Sequence, residues 1–267
     1  MILTTSLSIQ CAGAVAHPLF AQITAPAVSS IRFVIGAVIL LVLVRPRWRG
    51  RSTRTWQMLA AYGLSLAALN LAYFQAISLI PMGITMIFAS VPPLLFALVT
   101  SRRALDVVWV ALAAAGVVIL SGISPPRSLP GVLCALAAGV AWIAVAQAAR
   151  QVGQLTQRVD GLALALPFAA LVTIPFGIAH ADQFQASTLT RGLIVAILGL
   201  VLAFALELEG LRRLPTRTVA IIYSIDPANA AIVGLIALGQ QLTAPQLIAM
   251  ATVITASLAA TLTHTPS

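Results

Sequence analysis

The chain has 267 residues, 60% of them hydrophobic and 8% charged, with a mean hydropathy of +1.04, whereas a soluble domain carries roughly 25% charged residues. So few charges cannot clothe a water-exposed surface of this size, which excludes a soluble protein and points to an integral membrane protein whose solvent is largely lipid. All fifteen basic residues are arginine; without lysine the chain can form neither a P-loop nor a lysine Schiff base, and its net charge of +9 lies in links between apolar runs, which suits anionic lipid and argues against nucleic acid.

A transmembrane helix needs about 20 apolar residues. Apolar runs broken by Pro, Gly or Arg predict ten of them, at 2–22, 28–44, 56–79, 82–100, 105–123, 130–150, 162–178, 193–214, 218–239 and 244–262. The N-terminus carries no basic region, and the first arginine is Arg32. The first helix is therefore expected to stay as a span and not to be cleaved as a signal peptide. Cys11 and Cys134 fall inside apolar runs and read as small buried packing residues, with neither a disulfide framework nor a metal motif between them.

The first helix places His17, followed by Pro18, on one face with Gln10; it is either a hydrogen-bonded packing residue or a proton carrier. In the second, Arg32 stands one turn before Gly36 near the expected outer interface, where it can snorkel to the headgroups or bind a substrate carboxylate. Asn70 and Tyr73 in the third helix, and Trp142 beside Gly139 in the sixth, are candidates to line a cavity, with packing as the alternative. In the eighth, Glu209 meets Arg212 and Arg213 at i+3 and i+4 as a local ion pair. Glu207 points about 200° away, onto the small-residue face of Ala203 and Gly210, and serves either function or structural hydrogen bonding.

Asp226 is the strongest single signal. In a continuous ninth helix it would lie about 13.5 Å of rise from Arg217, near the bilayer midplane, with Tyr223 and Asn229 at i−3 and i+3 on its face and Pro227 directly after it. Ionisable residues inside the membrane are costly and by default functional; the other reading is that Asp226 holds helices together by hydrogen bonds. Asp106, Asp160 and Asp182 fall at helix ends or in links and are expected to be solvated.

Short cytoplasmic loops are enriched in arginine. The links after the second, fourth, sixth and eighth helices hold twelve arginines, and the opposite side holds only Arg127 and Arg191. Both termini are therefore expected in the cytoplasm. The chain also matches itself at a shift of 134 residues: Pro81 with Pro215, Ile87 with Ile221, Ser90 with Ser224, Pro93 with Pro227, Ala97 with Ala231 and Val99 with Val233. The fold read from this is an all-α membrane protein of two five-helix repeats, 1–126 and 127–267. Five being odd, the second repeat enters the membrane inverted, as in alternating-access transporters, with Ser90 and Ser224 flanking one central site. Chance likeness of two proline-containing helices is the alternative.

The plan of ten helices, the stretch AHPLFAQITAPAVSSIRFVIGAVIL at Ala16 to Leu40, and LRRLPTRTVAIIYSIDPANAAIVGLIALGQQLTAPQL at Leu211 to Leu247 resemble the EamA-type drug/metabolite transporter superfamily. Within it the likeness is strongest to the threonine/homoserine exporters of the bacterial inner membrane. The resemblance implies export of a small amino acid and acidic residues at Glu207 and Asp226. Where the family carries glutamate before the proline of the ninth helix this chain has Asp226, which keeps the charge, and where it carries an acidic residue in the fourth helix this chain has Ala89.

The function expected is thus secondary transport of a small-molecule substrate, driven by an ion gradient or by the substrate's own. A carboxyl inside the membrane makes proton antiport one option. No cofactor is called for. A membrane-embedded enzyme is disfavoured because His17, His180 and His264 fall in separate segments with no metal spacing, and a channel is disfavoured because no charge ring or filter loop is visible.

Overall fold

Serine and proline set where several helices begin. The Ser52 hydroxyl accepts from the Thr55 amide at 3.2 Å and the Ser128 hydroxyl accepts from the Gly131 amide at 3.2 Å, each taking one of the free amides at a helix start. Pro26 and Pro130 occupy first turns, where the missing N–H costs nothing. The computed structural model describes residues 2–100, 128–156, 158–206 and 225–263, and every element among them is helical. These are α1 (Ile2–Ala16), α2 (Ala25–Val44), α3 (Thr53–Leu79), α4 (Met82–Thr100), α5 (Leu129–Leu155), α6 (Arg158–Ile178), α7 (Ala186–Ala196), α8 (Asp226–Leu238) and α9 (Ala244–Thr263). A π-helical segment, Ile197–Leu202, carries α7 onward, so the helical run spans Ala186–Leu206.

Five of these runs are long and apolar enough to cross a membrane, and Met82–Phe96, Asp226–Leu238 and Ala244–Ala256 are shorter apolar helices. Their outer faces are apolar too: Val99, Ile236 and Ile178 are 83%, 80% and 70% exposed. That surface suits lipid, and in water it would aggregate.

The helices approach closely where side chains are absent. A Cβ at Gly63 of α3 would run into the Ala165 carbonyl of α6, and one at Gly139 of α5 would run into the Ala89 carbonyl of α4. Small residues at helix contacts are the usual solution in lipid, where dispersion rather than water expulsion draws helices together. Packing joins α3 to α5 and α6, α2 to α6 and α7, α4 to α5 and α8, and α1 to α7 and α8. The Gln240 side chain, just past Gly239 at the end of α8, accepts from the Met82 amide at 3.1 Å and so caps α4 from another helix.

Several expectations change. The first helix gives way at His17 to a 3-10 turn, His17–Ala21, because Pro18 has no amide for an α-helical bond. The eighth begins at Ala186 and not at 193, its first turns being too polar to register as apolar run. The ninth is not continuous through Asp226: Ile225 is in a turn and the helix starts at Asp226, with Pro227 in its first turn. Cys11 is exposed, not buried, since the buried side of α1 is taken by Thr5, Ser6, Ser8, Gln10 and Ala12. Asp160 does lie at a helix end, but it is half-buried and paired rather than fully solvated. Helix α6 begins at Arg158, which puts the Asp160 carboxylate on its first turn, 3.1 Å from Nη2 of Arg51. This ion pair brings two arginine-rich links to the same end of the bundle. The fifth predicted helix, 105–123, lies outside the described residues.

Gly139→Leu should lower the melting temperature in detergent and the amount of protein in the membrane, since overpacking a tight contact costs about 1–3 kcal/mol or more. Gly153→Ala, at a position with open space around it, should melt with the wild type. Equal melting of all three would show that the α4–α5 approach is not held by Gly139.

Candidate functional site

Polar residues in the bundle interior gather where α1, α2, α3, α7 and α8 meet. In α1, Thr5, Ser6, Ser8 and Gln10 are all buried, a run of polar groups inside an otherwise apolar helix. Ser6 is the hub: its hydroxyl donates to Oδ1 of Asp226 and accepts from Nδ2 of Asn229 at 2.8 Å. Asp226 and Asn229 are 6% and 5% exposed and share one face of α8. As the first residue of α8, Asp226 also sits at the positive end of the helix dipole, which favours its negative charge.

Four residues on from Ser6, the Oε1 of Gln10 accepts from the Tyr73 hydroxyl of α3 at 2.8 Å. Tyr73 in turn lies within electrostatic range of both Asp226 and Arg32. The α3 side of the site belongs to a buried stripe, Gly63, Ala67, Asn70, Phe74 and Ile77, at the spacing of one helix face. Asn70 is its polar member, and its Oδ1 is buried without a hydrogen-bond partner.

Arg32 differs most from its sequence reading. It does not snorkel outward. It is 8% exposed, its Nη2 donates to the Gly199 carbonyl at 2.8 Å, and its Cζ stands 5.4 Å from the centre of the Phe74 ring, within cation–π range. The reason lies in α7. A π-helical turn leaves carbonyls outside the regular bonding pattern. Here two successive ones are taken by neighbouring helices, Leu198 by the Ser8 hydroxyl at 2.7 Å and Gly199 by Arg32.

The remaining candidates are placed differently. Asp226 lies beside Ser6, about 6 Å of rise from Ile2, so it sits toward the Ile2 end of α1 and not at its middle. The Ser90 hydroxyl donates to the Met86 carbonyl of its own helix at 2.7 Å. Trp142 packs half-buried against the central apolar cluster, which includes Phe74 and Met82. His17 lies 5.8 Å from the ring of Phe20, while the hydrogen bond of Gln10 goes to Tyr73 and not toward His17. Tyr223, Glu207 and Ser224 lie outside the described residues, as does the Glu209 pair with Arg212 and Arg213. An open apolar groove between Leu64, Leu71, Ala141 and Val172 is on the outer surface of α3, α5 and α6, away from the polar cluster. Among the described residues no group of His, Cys, Asp or Glu could hold a metal ion.

Sequence reasoning missed Ser6, Ser8 and the Gly199 carbonyl. The first two were visible as hydroxyls in the otherwise apolar stretch LTTSLSIQ, with Ser6 and Gln10 one turn apart. A backbone acceptor created by a π turn leaves no mark in the sequence.

A model of the EamA-like transporter family matches residues 129–262. The threonine/homoserine exporters RhtA of Salmonella typhimurium strain LT2 and of Escherichia coli strain K12 are each 36% identical to this chain over 273 aligned positions, covering 98% of this chain and 90% of theirs. These relatives are named as exporters and not as enzymes. A solved structure described as "Crystal structure of protein" matches with a TM-score of 0.63 at 21% identity, over 98% of this chain and 97% of that one, which is a likeness of fold.

The hub can be weighed by deletion. A single interhelical hydrogen bond in a membrane is worth only about 0.6 kcal/mol on average. Ser6→Ala removes two bonds and strands the Asn229 amide, so it should destabilise by about 1–2 kcal/mol. Ser65→Ala removes a hydroxyl bonded only to its own helix and should be silent. Detergent melting curves of both variants check this; equal shifts would remove Ser6 as a hub.

Proposed function

The chain belongs to the EamA-like transporter family, and on that premise we propose that it is a secondary transporter exporting a small amino acid of the threonine or homoserine kind across the bacterial inner membrane. The observation that carries the reading is 36% identity along 98% of the chain to exporters so named. The interior agrees with it: a cluster of carboxylate, hydroxyl, carboxamide and guanidinium groups suits a small zwitterion, and such groups inside a membrane are costly unless used.

The architecture proposed is ten transmembrane helices in two inverted repeats, 1–126 and 127–267. Packing supports it. Exchanging α1 with α5, α2 with α6, α3 with α7 and α4 with α8 turns three of the helix pairs that join the two halves into other pairs that also pack: α3 and α5 into α7 and α1, α4 and α5 into α8 and α1, α3 and α6 into α7 and α2; α4 also packs on α9, and the mate of that pair involves the fifth predicted helix, outside the described residues. The pairs α2 with α6 and α4 with α8 map onto themselves. Val91 is helical in α4, whereas its counterpart Ile225 is in a turn. That turn lets Asp226 begin a helix inside the bundle, and helix ends within a bundle are what transporter sites are built from.

In this reading Asp226 carries either the coupling proton or the substrate ammonium, with Asn229 and Ser6 orienting it, and Tyr223 and Glu207 as further candidates. Asn70, Tyr73, Trp142, Ser90 and Arg32 form the walls, with His17 at the outer side. Both termini face the cytoplasm, a reading supported by the twelve arginines in one set of links and by the Arg51–Asp160 pair that holds two of those links together.

Counterflow of radiolabelled threonine in proteoliposomes should saturate. Asp226→Asn keeps the size and can still accept from Ser6 but cannot ionise, so it should reach wild-type abundance while losing concentrative export. Asp226→Glu should retain part. Full export by the asparagine variant would leave Asp226 a structural hydrogen-bonding residue. Reporter fusions after Arg54 and Arg158 should read cytoplasm and one after Asp182 the outside; the reverse would overturn the orientation.

A further inference from the structure

We propose that Arg32 is the residue that selects the carboxylate of the cargo, with its unpartnered Nε as the docking point. The proposal rests on the export reading above and adds to it the chemical group recognised and the residue that recognises it.

A guanidinium has five N–H donors and no acceptor, and a cation enclosed by protein requires a counter-charge or full hydrogen bonding. Arg32 has neither. One donor is engaged by a neutral carbonyl, that of Gly199, and one face is covered by the Phe74 ring. Its Nε is buried with no partner, and among the described residues no carboxylate forms an ion pair with it. A visiting anion would supply what this group lacks among the described residues, and a carboxylate matches the planar fork in both shape and charge.

The site is also shaped for that group. Gly199 leaves room that a side chain would take: a Cβ there would stand 2.9 Å from Nη2 and 3.0 Å from Cζ of Arg32. The ring of Phe74 and the Gly199 carbonyl fix the guanidinium from two sides, so little is lost in ordering it when the anion arrives. The second buried unpartnered polar atom among the described residues is an acceptor, Oδ1 of Asn70, one turn of α3 before Phe74. One orphan donor on α2 and one orphan acceptor on the neighbouring α3 suit the two ends of an amino acid, carboxylate to Arg32 and, with Asp226 left to carry the coupling proton, ammonium to Asn70. A snorkelling arginine would show the opposite pattern, with an exposed head and no buried orphan.

The test uses the full chain in proteoliposomes, with radiolabelled L-threonine counterflow competed by unlabelled L-threonine or by L-threoninamide, which keeps the ammonium and lacks the carboxylate. Wild type should bind the amide at least about tenfold more weakly than threonine, the size of effect carried by a charge-assisted hydrogen bond. In Arg32→Gln threonine should weaken to the level of the amide, whose own affinity stays put, so that the two fall within about twofold of each other. Arg32→Lys keeps the charge without the fork and should restore part of the preference; it also serves if the glutamine variant does not fold. Wild-type protein that treats threonine and its amide alike, or an Arg32→Gln or Arg32→Lys variant with the full wild-type preference, overturns the proposal and leaves the export reading standing. If wild type exchanges no amino acid at all, the export reading fails and Arg32's role fails with it.

Discussion

A polar atom inside this bundle must be satisfied from within it, by protein, by water in a cavity or by cargo, because lipid lies outside the helices and offers no hydrogen bonds. The arrangement of the interior depends on that constraint. Ser6 joins α1 to α8 through Asp226 and Asn229, Gln10 joins α1 to α3 through Tyr73, and Ser8 and Arg32 join α1 and α2 to the π segment after α7. Each bond is weak by itself. Together they pin the register of helices whose apolar faces alone would pack in several ways.

The π segment shows how one local irregularity organises several helices. An unbroken α-helix would keep the Leu198 and Gly199 carbonyls in its own ladder. The wide turn instead presents them to Ser8 and Arg32, and the glycine admits a guanidinium where a side chain would exclude it. The same logic holds where Pro227 begins α8: a helix start within the bundle sets free amides and a positive dipole end beside a carboxylate, so that charge is tolerated at a place where apolar packing would reject it.

Close packing completes the frame. Gly63 and Gly139 let α3 meet α6 and α5 meet α4 at backbone distance. The polar cluster lies beside these close approaches, between α1, α2, α3, α7 and α8, and the two buried unpartnered polar atoms among the described residues, Nε of Arg32 and Oδ1 of Asn70, belong to α2 and α3.

The membrane class and several of the helices were legible from composition and pattern. Hydrophobic runs marked the helices, with 82–100 matching α4 from end to end, because in lipid the length of an apolar stretch is set by bilayer thickness. Arginine placement predicted that the links around Arg51 and Arg158 share a side, and Asp226 and Asn229 were legible as one face from their spacing alone. Tertiary structure alone decided the rest. That Ser6 is the partner of Asp226, 220 residues away, and that Arg32 turns inward, follow from which helices become neighbours and from a π turn that a carbonyl's own residue does not announce. Sequence spacing reports what shares a face within one helix, whereas partners across helices are chosen by packing, and packing is a property of the whole bundle.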